Sequence, residues 1–309
     1  MTSQWDSLRK NIGVWKGAFV QFSPKGAQVS ETPSVLTLEE SAPGKTINLT
    51  LERFPQEAPK KVNNLTFAAP GPGPALSFFE NGTFAQGSSQ WSAFGQFATE
   101  VSLKIGDNKR VRYVVMYEST QHYTSQIKYV TLICEHREGT APFTEKPLTT
   151  SQISSQSQGQ SDGRWTGEAS VIFTDGKPPT TGRSRWQLDS NLAFSCAEQW
   201  ADSTHSLEAK GLGADKSGGS AAQQATVIRL APATEGQLPY QLMLLPKGAY
   251  CLLPTEIEKE RDFRIEVGWL SDAGERSSSG GVSRTRLIRY YDARGVQTES
   301  ALIEDRQLL

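Results

Sequence analysis

Gly13-Val14-Trp15-Lys16-Gly17 recurs as Gly163-Arg164-Trp165-Thr166-Gly167, 150 residues further along the chain. At the same offset Leu38-Glu39 falls on Leu188-Asp189. The offset then widens to 166, where residues 78–84 (FFENGTF) meet residues 244–250 (LLPKGAY) and residues 97–101 (FATEV) meet residues 263–267 (FRIEV). Near the two ends Glu135-His136-Arg137 aligns with Glu304-Asp305-Arg306 at an offset of 169. Matched blocks in one order mark an internal duplication. The chain divides into a first domain at 1–145, a polar linker at 146–161 and a second domain at 162–309. Ile153 is the sole apolar residue between Thr149 and Gln160, which suits a solvated connector. The widened offset is assigned to an inserted loop in the polar, Gly-rich stretch from Gly211 to Gln224.

Within each copy the apolar residues keep a period of two. Ile47, Leu49 and Leu51 alternate with polar neighbours, as do Ile127, Tyr129, Thr131 and Ile133. Val111, Tyr113, Val115 and Tyr117 form one face, and Phe263, Ile265, Val267 and Trp269 another. Such alternation predicts half-buried strands. Turn chemistry at Pro24-Lys25-Gly26, Asn81-Gly82, Asp107-Asn108, Asp175-Gly176 and Lys247-Gly248 punctuates them. The expected class is all-β, with two tandem antiparallel barrels. One short helix is expected, because Trp5, Leu8 and Ile12 fall three and four residues apart just before Gly13. The polar segment before Gly163 predicts no second helix, so the second barrel is expected to close differently.

The 309 residues carry a net charge of −1, which lacks the basic field of a nucleic-acid binder. No apolar run reaches the length of a membrane span. Residues 1–6 (MTSQWD) do not resemble a secretory signal. Cys134, Cys196 and Cys251 are odd in number and widely spaced, which favours a reducing, cytoplasmic setting over a disulfide framework. His122, His136 and His205 show no metal-ligand spacing. No Gly-x-Ser-x-Gly elbow occurs, and Gly44-Lys45-Thr46 lacks the leading glycine of a phosphate loop. No catalytic residue, metal or cofactor is therefore expected.

A Gly-x-Trp that opens the first strand after a short helix resembles the lipocalin and calycin signature. That resemblance implies a tryptophan across the closed base of each barrel with an arginine stacked over it. Arg112 or Arg137 would cover Trp15, and Arg289 or Arg306 would cover Trp165. More of the text, from Trp15-Lys16-Gly17 through Leu51-Glu52-Arg53-Phe54 and Phe78-Phe79-Glu80-Asn81-Gly82 to Gly268-Trp269-Leu270, is similar to the cyanobacterial and plastid family DUF3598. The resemblance covers nearly the whole chain and implies a cyanobacterial source and paired calycin-type barrels. Bilin lyases share that barrel class, but their Trp-x-Ser-Gln-Arg-Thr opening is absent here.

Gly13, Trp15, Gly17, Gly163, Trp165 and Gly167 are thus assigned to the barrel bases. Trp91, Arg112, Tyr117, Tyr290 and Tyr291 are candidates to line a ligand cup; the competing reading is that they fill the interior. Glu100 and Glu266, equivalent across the repeat, read as salt-bridge partners of barrel arginines. The leading functional expectation is non-enzymatic binding of a small hydrophobic ligand such as a pigment, tetrapyrrole or lipid. A protein partner in photosynthetic assembly is the alternative, and a lyase-like enzyme the third.

Overall fold

A computed structural model describes residues 2–71, 73, 75–143, 148–154, 164–201, 203–216, 225–271 and 283–307. Gly163, residues 155–161 of the linker and residues 217–224 of the Gly-rich stretch lie outside the described residues. Helix α1 (Gln4–Arg9) precedes β1 (Gly13–Phe22), β2 (Gln28–Ala42), β3 (Thr46–Arg53), β4 (Lys61–Ala68), β5 (Leu76–Phe78), β6 (Phe84–Gly87), β7 (Phe97–Ile105), β8 (Lys109–Ser119) and β9 (Ser125–Arg137). After α2 (Thr150–Ile153) come β10 (Arg164–Phe173), β11 (Thr180–Leu188), β12 (Ala193–Trp200), β13 (Ser203–Lys216), β14 (Thr226–Pro232), β15 (Tyr240–Leu244) and β16 (Ala249–Pro254). The chain then adds β17 (Glu256–Ile257), β18 (Phe263–Leu270), β19 (Ser283–Tyr291) and β20 (Gln297–Gln307).

The chain is all-β, with two barrel-like antiparallel sheets. The second closes into a ten-stranded barrel, with β20 returning to β10. The first follows the order β4-β3-β2-β1-β9-β8-β7-β6-β5 and leaves β4 and β5 as edges. It also accepts β17 from the second half, which pairs with Ser125 and Gln126 at the start of β9.

Alternation decides what each face does. Along β8, Val111, Tyr113, Val115 and Tyr117 turn outward, are buried, and meet the second barrel. They join one apolar cluster with Cys251, Leu253, Ile265 and Val267 from β16 and β18. Hydrogen bonds cross the seam: the Tyr113 hydroxyl donates to Gly268 O at 2.6 Å and the Tyr117 hydroxyl to Pro254 O at 2.8 Å. The Arg289 guanidinium reaches Gln86 O at 2.6 Å and Ser88 O at 3.4 Å. The seam therefore has the apolar core of a domain interior, and the two copies form one folded body.

Two sequence expectations change. A second helix does precede the second barrel. It is one turn long, closed by a Thr149–Gln152 capping box, and it buries Ile153. The residue that looked like an isolated apolar outlier in a polar connector is the plug of the barrel base. The register near the ends also shifts by one. Gly17 lies opposite Glu135, whereas Gly167 lies opposite Asp305. Asp305, not Glu304, is therefore the counterpart of Glu135; a one-residue slip would place the carboxylate on the outer face.

Candidate functional site

Each barrel interior is layered, and strand alternation sets the layers. At the base of the first, Trp15 is fully buried and its Nε1 donates to Asn11 O at 2.8 Å, at the end of the α1 segment. At the base of the second, Trp165 Nε1 donates to Ile153 O at 3.4 Å. Two guanidiniums lie over the Trp15 ring, Arg110 at 4.4 Å and Arg137 at 4.7 Å. Arg284 lies 4.6 Å from the Trp165 centroid and 4.2 Å from that of Trp186. Arg137 stands where the family resemblance places it. Arg112 instead faces Phe19, at 5.8 Å. Arg289 points out to the seam, and Arg306 does not cover Trp165.

The motif glycines exist for this packing. A Cβ on Gly17 would sit 2.5 Å from Cys134 O and 2.9 Å from Glu135 Cγ. One on Gly167 would overlap Asp305 Oδ1 and lie 2.7 Å from Glu304 O. Gly13, with φ +138°, leaves the room that the Arg137 guanidinium occupies.

Above each tryptophan lies a buried ionic layer. In the first half Glu135 takes Arg110 Nε at 2.5 Å and Arg112 Nη1 at 3.0 Å, and Glu100 takes Arg112 Nη2 at 2.9 Å. In the second, Asp305 takes Arg284 Nη2 at 2.7 Å and Arg286 Nε at 2.8 Å. Glu198 and Glu266 pair with both Arg264 and Arg286 at 2.9–3.3 Å. Burial pushes the Glu135 and Asp305 carboxyls up, but their flanking arginines outweigh it and hold both below the ordinary carboxylate range. A general acid needs the opposite shift. Among the described residues that form them, cations and carboxylates match in number in each layer, so the layers are charge-compensated.

The five candidate cup residues do not share a cavity. Arg112 belongs to the first ionic layer. Trp91, Tyr117 and Tyr291 lie at or beside the seam: Trp91 Nε1 donates to Ser125 Oγ at 2.9 Å, and the Tyr291 hydroxyl to Ser88 O at 3.1 Å. Tyr290 is inside the second barrel, at the end opposite Trp165. There it stacks on His205 with centroids 4.0 Å apart, and Glu299 bonds both His205 (2.6 Å) and Trp200 (3.2 Å).

A concavity of about 300 Å³ opens elsewhere, on the inner face of the first sheet above its ionic layer. Phe19, Gln21, Arg53, Tyr129 and Thr131 are among its lining residues. The alternation Trp15, Gly17, Phe19, Gln21 along β1 was the sequence signal for it. Among the described residues no group of His, Cys, Asp and Glu is placed to hold a metal ion. No helix among them is long and apolar enough to cross a membrane.

The outer surface carries its own features. Phe94 and Tyr123 are 83% and 64% exposed, yet their rings meet edge to face at 5.5 Å. Tyr123 holds φ +59° at the tip of the β8–β9 hairpin, a backbone conformation that is costly for a bulky residue. Edge strand β4 leaves Val62 and Leu65 exposed.

Comparison with known proteins agrees with this architecture. Residues 1–140 match the family model for the N-terminal domain of DUF3598, a domain of unknown function. A crystal structure of a DUF3598-family protein of unknown function from Nostoc punctiforme PCC 73102 is 26% identical, covers 100% of both chains and superposes with a TM-score of 0.76. The first 140 residues carry the DUF3598 N-terminal domain. Residues 155–308 match the model named Biogenesis factor required for ATP synthase 1, C-terminal domain. A Bacteroides fragilis NCTC 9343 protein, assigned provisionally to the outer membrane, shares 10% identity over 97% of this chain and 99% of its own. Its TM-score of 0.22 carries no structural argument. No curated protein matches the chain.

Proposed function

We propose that this protein is a non-enzymatic assembly factor that holds a partner polypeptide during the building of a multisubunit photosynthetic complex, with an ATP synthase as the first candidate. The observation that carries the reading is the match of the second half to the C-terminal domain of an ATP synthase biogenesis factor. The interior agrees with it. Both barrel bases are sealed by tryptophan, arginine and carboxylate, which makes a rigid body whose working surface is outside. The exposed Phe94–Tyr123 pair supplies an aromatic anchor of the kind that concentrates binding energy at protein interfaces. Three buried thiols, Cys134, Cys196 and Cys251, suit the cytoplasmic setting proposed with it. The test is affinity isolation of the tagged chain from a cyanobacterial host, alongside the Phe94→Ala/Tyr123→Ala variant. ATP synthase subunits should be recovered by the native chain and depleted by the variant. Recovery of no subunit of that complex contradicts the proposal.

A second reading, binding of a small ligand, is favoured by the concavity of the first sheet. A wholly hydrophobic ligand suits it poorly, because cationic and hydroxyl side chains share the lining. Native mass spectrometry of the protein from its own host should show a bound mass; an unliganded chain counts against this reading.

A further inference from the structure

We propose that the cup on the inner face of the first sheet is a site for a small organic anion with a planar apolar body. This rests on the ligand-binding reading, is independent of the assembly reading, and gives the ligand a chemical class.

The argument starts from strand register. Arg53 on β3 lies directly opposite Lys61 on β4, and both line the cup. Like charges facing each other across a strand pair destabilise it, so such a pair calls for a counter-charge. Among the described residues no carboxylate lines the cup, and neither cation forms an ion pair. Glu52 and Lys60, their chain neighbours, neutralise each other at 2.6 Å. The positive field of Arg53 and Lys61 is therefore left for something that enters.

Arg53 has donors to spare. Its Nη2 reaches Asn63 Oδ1 at a long 3.3 Å, and its Nε is buried without a partner. Directly across the β2–β3 pair, Ser34 is 3% exposed and its Oγ also lacks a partner. Buried polar atoms in native proteins are normally satisfied, so two orphans on facing residues beside one cup point to a missing acceptor. An anion supplies it, and a guanidinium fork suits a carboxylate, phosphate or sulfonate group.

The rest of the lining fixes the body of the ligand. Phe19 already carries the Arg53 guanidinium at 5.6 Å and that of Arg112 at 5.8 Å, so its ring helps hold the cations in place. Tyr129, Val114 and Pro55 offer flat or apolar surface, while Ser30, Thr32, Gln21 and Thr131 offer hydrogen bonds. The volume, about 300 Å³, is at the small end for ligand pockets, which sets a small ligand.

The experiment is a fluorescence titration with anilinonaphthalene sulfonate, an aromatic anion, and with phenylnaphthylamine, the same ring system without the charge. The sulfonate should bind the native chain at one site, and the uncharged probe at least about tenfold more weakly. Lys61→Gln should weaken the sulfonate about tenfold, Arg53→Gln at least as much, and Arg53→Lys less. Thr32→Trp, which fills the cup, should abolish the site. Lys61 is exposed, so its variant should keep the native thermal midpoint and remain decisive if Arg53→Gln is unstable. Equal binding of both probes at a site lost in Thr32→Trp would retain a ligand cup and overturn its anion specificity. Absence of a Thr32→Trp-sensitive site for either probe overturns the ligand-binding reading as well.

Discussion

Replacing Asp305 by Asn removes one negative charge from the second ionic layer while nearly keeping the side-chain shape. Asp305 is 1% exposed, and its Oδ2 accepts Arg284 Nε at 2.9 Å, Arg284 Nη2 at 2.7 Å and Arg286 Nε at 2.8 Å. Arg286 retains Glu198 and Glu266, but Arg284 has no second carboxylate within ion-pair distance among the described residues. Its buried charge would be left to the rings of Trp165 and Trp186. Removing one partner of a buried pair costs about 3–5 kcal/mol, a large share of the roughly 5–15 kcal/mol that holds a protein folded. Glu118→Gln, which breaks an exposed pair with Lys128 at 3.0 Å, should cost under about 1 kcal/mol. Urea unfolding followed by tryptophan fluorescence compares the two. The sign with pH is also fixed. Folded Asp305 and Glu135 have depressed pKa values, so their stabilisation is complete above the ordinary carboxyl range. It is lost as pH falls through about 4 toward the folded values. The native chain should therefore show a steep acid limb, and Asp305→Asn a shallower one. A loss below about 1 kcal/mol with an unchanged acid limb would refute the stabilising role of the buried ionic layer.

Other expectations follow from single contacts. Gly17→Ala forces a methyl against Cys134 O and Glu135 and should cost about 1–3 kcal/mol, whereas Gly95→Ala meets nothing within 4 Å and should be near neutral; thermal melts compare them. Tyr113→Phe leaves buried Gly268 O without the hydroxyl it accepts and should cost about 1–3 kcal/mol by chemical denaturation, without separating the unfolding of the two halves. Burial pushes the Cys196 and Cys251 thiols far up, so at neutral pH iodoacetamide should label them only after urea is added, as read by mass spectrometry.

Fold class was legible because it rests on features that tolerate no alternative. A period of two fixes which side chains are buried, and the Gly-x-Trp-x-Gly repeat records a collision that only glycine avoids. The ionic layers were half legible. Glu100 and Glu266 are readable as paired, yet the repeated Arg-x-Arg that does the pairing, Arg110-Val111-Arg112 and Arg284-Thr285-Arg286, does not stand out. The pair recurs at a fourth offset, 174, because loops of different length separate the strands. The role of Ile153 is hidden for a related reason: a one-turn helix has too few residues to show a period. The dispersed fate of Trp91, Tyr117 and Tyr291 has another cause. Outward and inward faces of β8 are both buried, since the second barrel covers the outer one, and alternation alone cannot separate a core of one barrel from a seam between two.

The most direct test of the account is deletion of this protein's gene in its host, with the proposed client complex resolved on native gels after pulse labelling. The account predicts that subunits are made at the normal rate but enter the complex slowly. It also predicts that the native chain restores entry while the Phe94→Ala/Tyr123→Ala variant, folded by its melting profile, does not. Normal assembly kinetics in the deletion strain would contradict it.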